Sequence, residues 1–253
     1  MAVSVNSPTL FKHQLWQETR IPLFEQSINT AKGSKRVTFG CGFAQQSIAE
    51  CFQENLENYP VLLPVLFKQP SDQFQHLRFH NGVIWRWNRP LIGFDEDDTP
   101  HIRIEHRVMP AGPTIQDMIA NAVFFYGLAQ ILATETAIQR ISFQQAKDNF
   151  YQTAQYGLNG KITWLDGKTY LAQDLIVQQL LDLAQKGLKQ LNIDSDEIEH
   201  YLNIIAERTL SGQTGAQWQC QQLKQNGGDY QNLVKTYLHH QHSANPVHTW
   251  TLG

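Results

Sequence analysis

Residues 101–108, His-Ile-Arg-Ile-Glu-His-Arg-Val, alternate between apolar and charged positions with the period of a β-strand. Successive side chains on a strand point to opposite sides, so Arg103, Glu105 and Arg107 share one face. Ile102, Ile104, His106 and Val108 share the other, which is expected to pack on a core. Strand and helix signals interleave through the rest of the first half. Ala2 to Ser7 reads as a short strand entering a turn at Pro8, and residues 10–29 as a helical or irregular segment. Arg36 to Gly40 reads as a short strand. Ser47 to Tyr59 reads as an amphipathic helix with a Ser47–Glu50 capping box, stopped by Pro60. Asn81-Gly82 tolerates positive φ, which predicts a β-hairpin with Arg78 and Arg86 on its strands. Asp95 to Asp98, before Thr99-Pro100, predicts a solvated turn into the 102–108 strand.

Thr114-x-x-Asp117 opens the strongest helix signal, with Ile115, Met118, Ile119, Ala122, Val123, Tyr126 and Ala129 in one broad apolar stripe. Such a helix is expected to be buried on most sides, against the back of the sheet. Beyond about residue 140 the periodicity is helical alone, over 142–156, 171–190, 196–210 and 216–238. The pattern predicts an α+β protein: a mixed portion over 1–140, then a helical region over 141–253 packed on it.

Composition narrows the function classes. The chain has 253 residues, 42% hydrophobic and 17% charged, with a formal charge of −3. No basic excess favours nucleic acid or an anionic membrane. Cys41, Cys51 and Cys220 are odd in number and widely spaced, which predicts reduced thiols rather than disulfides or a zinc knuckle. No apolar run reaches the expected length of a membrane span, and Met1-Ala2-Val3-Ser4 lacks a signal-peptide pattern, so a cytosolic (cytoplasmic) protein is expected. His239, His240 and His242 read as a solvated helix end rather than a metal site. Cys41 has no adjacent histidine to make it a nucleophile.

Two readings of the Arg103–Glu105–Arg107 row stay open on residue types alone. One is a ladder of exposed salt bridges. The other is a nucleotide–metal platform, with a carboxylate for Mg²⁺ between two guanidiniums for phosphate oxygens. Arg20, Arg86 and Arg89 are further candidates for phosphate or carboxylate contact, in competition with stacking on Trp85 or Trp87.

Arg103-Ile104-Glu105-His106-Arg107 resembles the Arg-Ile-Glu-x-Arg strand of the glutamine-synthetase-like fold. The segments Val5-Asn6-Ser7-Pro8, Trp85 to Pro90, Ser211 to Ala216 and Pro246 to Trp250 are similar, in order, to the glutamate–cysteine ligase-like branch of carboxylate–amine ligases. The resemblance implies a glutamine-synthetase-like antiparallel sheet portion backed by helices. It further implies ATP and Mg²⁺ as cofactors and a small amino-acid-like substrate. Glu105 would be the Mg²⁺ ligand, Arg103 and Arg107 the catalytic phosphate contacts, Arg20, Arg86 and Arg89 nucleotide contacts, and Asn6 and Ser7 substrate contacts. Such enzymes phosphorylate a carboxylate and let an amine attack the mixed anhydride.

The resemblance is to the C-terminal half of these enzymes. Their strand of paired carboxylates has no counterpart before residue 60, where the acidic residues are Glu18, Glu25, Glu50, Glu54 and Glu57. A homo-oligomer, or a partner supplying the missing N-terminal strands, is therefore expected. The alternative is a non-catalytic relative that serves as a binding or partner subunit.

Overall fold

The computed structural model describes all residues except 11–14, 30–32, 34 and 135–140. The protein is mixed α+β, mostly helical, with two-stranded sheets among the described residues. The chain forms two compact units, one of residues 20–108 and one of residues 1–19 with 109–253.

The 20–108 unit opens with helix α1 (Arg20–Ile28) and strand β1 (Val37–Thr38). Asn29 joins them by bonding both backbone groups of Val37. Helix α2 (Ala49–Asn58) has Ile48 as its N-cap residue, so the expected Ser47–Glu50 capping box forms only in part. Glu50 accepts from the Gln45, Gln46 and Ser47 amides, and Ser47 Oγ accepts from Ala49.

The hairpin expected around Asn81-Gly82 is instead helix α3 (Gln75–Gly82). Asn81 is buried, and its side chain accepts from Asn55 and donates to the Pro90 carbonyl. Those bonds use the asparagine as a tertiary bolt, which outweighs its turn preference. Strand β2 (Trp85–Arg86) then pairs in parallel with β1.

Strand β3 (Asn88–Phe94), which the sequence pattern did not mark, pairs antiparallel with β4 (Pro100–His106) through the expected turn at Asp95–Asp98. Strand β4 covers the expected 101–108 strand as far as His106. Asp98 takes a positive φ of 62° in that turn, a conformation Asp tolerates better than most residues. The burial expected of the isoleucine face is overturned: Ile102 is 53% exposed and Ile104 56%. The alternation is real, but the unit's contacts lie on the charged face. Arg89 on that face reaches the Asn81 and Ile84 carbonyls.

In the other unit, Ala2 to Ser4 form a turn rather than a strand, closed by the Ser4 amide on the Met1 carbonyl. Ser7 makes an isolated parallel bridge with Glu18. Helix α4 (Ile115–Thr134) begins with the expected reciprocal Thr114–Asp117 cap. Over Ile115–Ala133 it is long and apolar enough to cross a membrane by length and composition, contrary to the expectation that no apolar run is. The sequence called for a sheet behind α4, but its partners within its own unit are helices.

After α5 (Phe143–Tyr156), a hairpin of β5 (Lys161–Thr163) and β6 (Thr169–Leu171) interrupts the region read as purely helical. Helix α6 (Ala172–Leu175) runs through a π-helical turn at Ile176–Leu180 into α7 (Leu181–Gln190). Helices α4 and α7 touch backbone to backbone. A Cβ on Gly187 would land on the Gly127 carbonyl, and one on Gly127 on the Ala184 carbonyl. Only glycine permits that approach.

Helix α8 (Ser195–Ser211) is capped by Asp194. The stretch 216–238 is two helices, α9 (Gly215–Gln225) and α10 (Tyr230–His242), because Gly227 and Gly228 both take positive φ between them. Trp218, Val247 and Trp250 close a second core cluster. All three cysteines are free, and burial pushes the Cys220 thiol up to about 11.

Candidate functional site

The β3–β4 register sets Arg89 opposite Glu105, Leu91 opposite Arg103 and Gly93 opposite His101. Directly opposed residues share a face, so the arginine row of β4 gains Arg89 from β3. Arg89 Nε donates to Glu105 Oε2 at 2.7 Å. Arg107 Nε lies 3.7 Å from the same oxygen. The Arg107 guanidinium rests over the Trp85 ring, 4.5 Å from its centroid, and its amide donates to the Trp87 carbonyl.

Arg20 holds the end of this strand. Its Nη1 and Nη2 donate to the Arg107 and Val108 carbonyls at 3.0 and 2.9 Å, and its guanidinium lies over Trp87. Two guanidiniums, those of Arg89 and Arg107, thus lie against the Glu105 carboxylate, which stays 34% exposed. Burial lowers the Arg107 pKa from its ordinary value; Glu105 opposes this, while Arg89 and Arg20 add to it. Arginine keeps its proton regardless, so the crowding remains as positive potential that favours an added anion. Arg107 Nη1 is buried without a hydrogen-bond partner among the described residues. A phosphate oxygen is the kind of acceptor that position lacks.

Arg103, two residues before Glu105, is exposed. It has no carboxylate partner among the described residues, and its Nη1 sits where a Cβ on Gly93 would reach. Arg86 is differently placed. It donates to Glu54 and to the Tyr59 hydroxyl, both at 2.8 Å, and stacks on Tyr59. Burial opposes its charge, but these two partners push its pKa up. Arg20, Arg86 and Arg107 line a crevice of about 10 Å³ with Trp85 and Trp87, room for a single water. Stacking on aromatic rings thus accounts for much of how Arg20 and Arg86 are held.

Glu105 does not make a metal site by itself. No group of three or more His, Cys, Asp or Glu side chains among the described residues is placed to hold an ion. Mg²⁺ would need phosphate oxygens, water and further carboxylates beside Glu105. The arginines fit a phosphate; the carboxylate alone does not fit a resident metal.

Asn6 and Ser7 belong to the other unit. The Asn6 amide donates to the Ala111 carbonyl and the Tyr237 hydroxyl and accepts from Gln219. Ser7 accepts from the Thr19 amide. His240 of the histidine cluster stacks on Trp250, 5.0 Å between centroids, and bonds the Thr251 carbonyl.

The profile of glutamate-cysteine ligase family 2 (GCS2) matches residues 1–236 of this chain. The chain belongs to that family. No curated protein and no solved structure matches the chain. In this family 2 chain, sequence reasoning missed the Asp117–Arg208 pair, in which Arg208 Nη2 meets Asp117 Oδ1 at 2.6 Å. Asp117 shows in the sequence only as a helix cap, and nothing in the α8 pattern marks Arg208 as an inward-facing cation.

Proposed function

We propose that the chain is, wholly or in part, an ATP-dependent ligase of the glutamate–cysteine ligase type. In that chemistry the γ-phosphoryl passes to a substrate carboxylate oxygen, giving an acyl phosphate and ADP. The amine nitrogen then attacks the acyl carbon, the carbon–oxygen bond to phosphate breaks, and amide, phosphate and a proton are released. Family membership supports this reading, and the observation that carries it is the excess of guanidiniums over carboxylate around Arg107. Fixed cations in a partly dry setting stabilise charge on a transferring phosphoryl group. Arg107 and Arg103 take that role, and Arg89 and Arg20 hold the strand and add potential. Arg86 supports the neighbouring wall, and Asn6 and Ser7 are taken as contacts for a small amino-acid-like substrate.

Glu105 supplies one Mg²⁺ ligand in this reading. Because no second carboxylate is placed beside it to hold an ion among the described residues, the reading includes a homo-oligomer or a partner that contributes further acidic strands. It also takes the β3–β4 hairpin as part of a glutamine-synthetase-like sheet, and the protein as cytoplasmic.

Incubation with ATP, Mg²⁺, glutamate and cysteine, following phosphate release and amide formation, tests the proposal. Turnover lost in Arg107→Ala supports it. ATP binding without turnover points to the second reading, a non-catalytic binding or partner subunit, which the single carboxylate favours.

A further inference from the structure

Helices α4, α7 and α8 enclose an open cavity of about 310 Å³ where they meet the turn at residues 191–193. All of its lining lies in the unit of residues 1–19 and 109–253, and none of it belongs to the arginine row. The volume is at the small end of the range for organic ligands. Ile119 and Val123 of α4, with Leu188, Leu191 and Ile193, form an apolar wall. Tyr126 and Tyr201 add two aromatic rings, and Glu197 is the one charged group in the lining among the described residues.

Backbone packing builds this cavity in advance of any ligand. The close approach at Gly127 and Gly187 fixes α4 against α7. In the turn, the Leu191 amide donates to the Gly187 carbonyl at 3.2 Å and the Ile193 amide to the Leu188 carbonyl at 3.3 Å. Asn192 takes a positive φ of 57° between them, which asparagine tolerates better than most residues. His200 Nε2 lies 3.1 Å from Gln116 Oε1 and ties α8 to α4.

The lining selects by chemistry. Ile119, Tyr126, Leu191 and Ile193 are all exposed, so a ligand that covers them gains from apolar burial. Glu197 makes no ion pair or hydrogen bond among the described residues, and the hydroxyls of Tyr126 and Tyr201 make none either. One carboxylate beside apolar walls does not suit a bare metal ion, which needs several oxygen ligands. Aromatic rings and a carboxylate do suit an organic cation, whose charge is drawn to the ring faces and whose hydrocarbon body packs on the wall. The start of α8 carries roughly half a positive charge, and the carboxylates of Asp194, Asp196 and Glu197 outweigh it. Those same carboxylates disfavour an anion. We infer that this cavity binds a small organic ammonium ion with an apolar or aromatic body, its charged head at Glu197 and the tyrosine rings.

Methyl NMR of the full chain, titrated with 2-phenylethylamine and separately with the neutral 2-phenylethanol of similar size, tests the site at neutral pH. Saturable shifts are expected at the methyls of Ile119, Val123, Leu188, Leu191 and Ile193. The protonated amine should bind about tenfold more tightly than the alcohol, the sum of one exposed charge pair and the ring contacts. Glu197→Gln, an exposed change, should bring the amine to the level of the alcohol and leave alcohol binding in place. Glu199→Gln, on the same helix but outside the lining, should change neither. Tyr201→Leu keeps the apolar surface and should weaken the amine about threefold, more than the alcohol. Equal binding of the two probes to the wild-type chain would overturn the assignment. So would an equal loss in Glu199→Gln and Glu197→Gln, which would mark a diffuse acidic field, or the absence of saturable shifts with both probes.

Discussion

The arginine face of the 20–108 unit and the Asp117–Arg208 pair of the other unit use the same side chains for opposite ends. Arg208 is 1% exposed and Asp117 is fully buried. The Asp117 carboxylate accepts from Arg208, Thr114 and the Val247 amide. Arg208 in turn donates to Asn121 and the Val3 carbonyl. Charge balances one to one, and four segments are tied through one carboxylate and one guanidinium. Around Glu105, by contrast, guanidiniums outnumber carboxylate and the group is partly exposed. Stoichiometry and burial together separate a structural bolt from a face prepared for an anion.

The largest expected effect comes from breaking the bolt. Asp117→Ala leaves the Arg208 charge buried and unpaired, which costs about 3–5 kcal/mol. Denaturant titration should show that loss, and a change under about 1 kcal/mol would remove the contrast drawn here.

A smaller effect is expected from acid. Burial pushes the His106 pKa down to about 4, while an unfolded histidine takes its proton near 6.5. Between those values the unfolded chain binds more protons, so stability is full above about pH 6.5 and declines as the pH falls toward 4. Thermal melts across that window should show the decline, and His106→Gln should flatten it. A melting temperature rising on acidification would reverse the sign of this account.

The smallest stability effect is expected at the arginine face itself. Glu105→Gln removes a partly exposed pair worth at most about 1 kcal/mol. Its consequence should appear in binding: with the carboxylate paired to Arg89 and Arg107 gone, inorganic phosphate should bind more tightly, an effect that fades as salt rises. A Glu105→Gln chain as destabilised as Asp117→Ala would place Glu105 among the structural pairs.

These two regions were not equally legible in the sequence. Period-2 alternation marked residues 101–108 as a strand and set Arg103, Glu105 and Arg107 on one side, because side-chain direction on a strand depends only on local geometry. Which face would be covered did not follow, since Ile102 and Ile104 carry the same signal whether or not anything lies over them. Asn81-Gly82 failed for a related reason: the buried bonds of Asn81 to Asn55 and Pro90 are tertiary and leave no local trace. Arg89 was recognised as a cation, but its pairing with Glu105 depends on hairpin register. Arg208 pairs with a residue far away in sequence, and such a partner cannot be read from spacing. The close approach of α4 and α7 at Gly127 and Gly187 was equally hidden, because an isolated helical glycine has many explanations.

Nitrogen-15 NMR of the arginine Nε–H groups, recorded while the full chain is titrated with inorganic pyrophosphate, tests the central claim most directly. Resonances of Arg107, Arg103 and Arg89 are expected to shift in a saturable way, weakening with added salt, while those of Arg208 and Arg86 stay in place. Shifts spread evenly over all arginines, or confined to surface cations away from β4, would contradict the assignment of this face as a phosphate site.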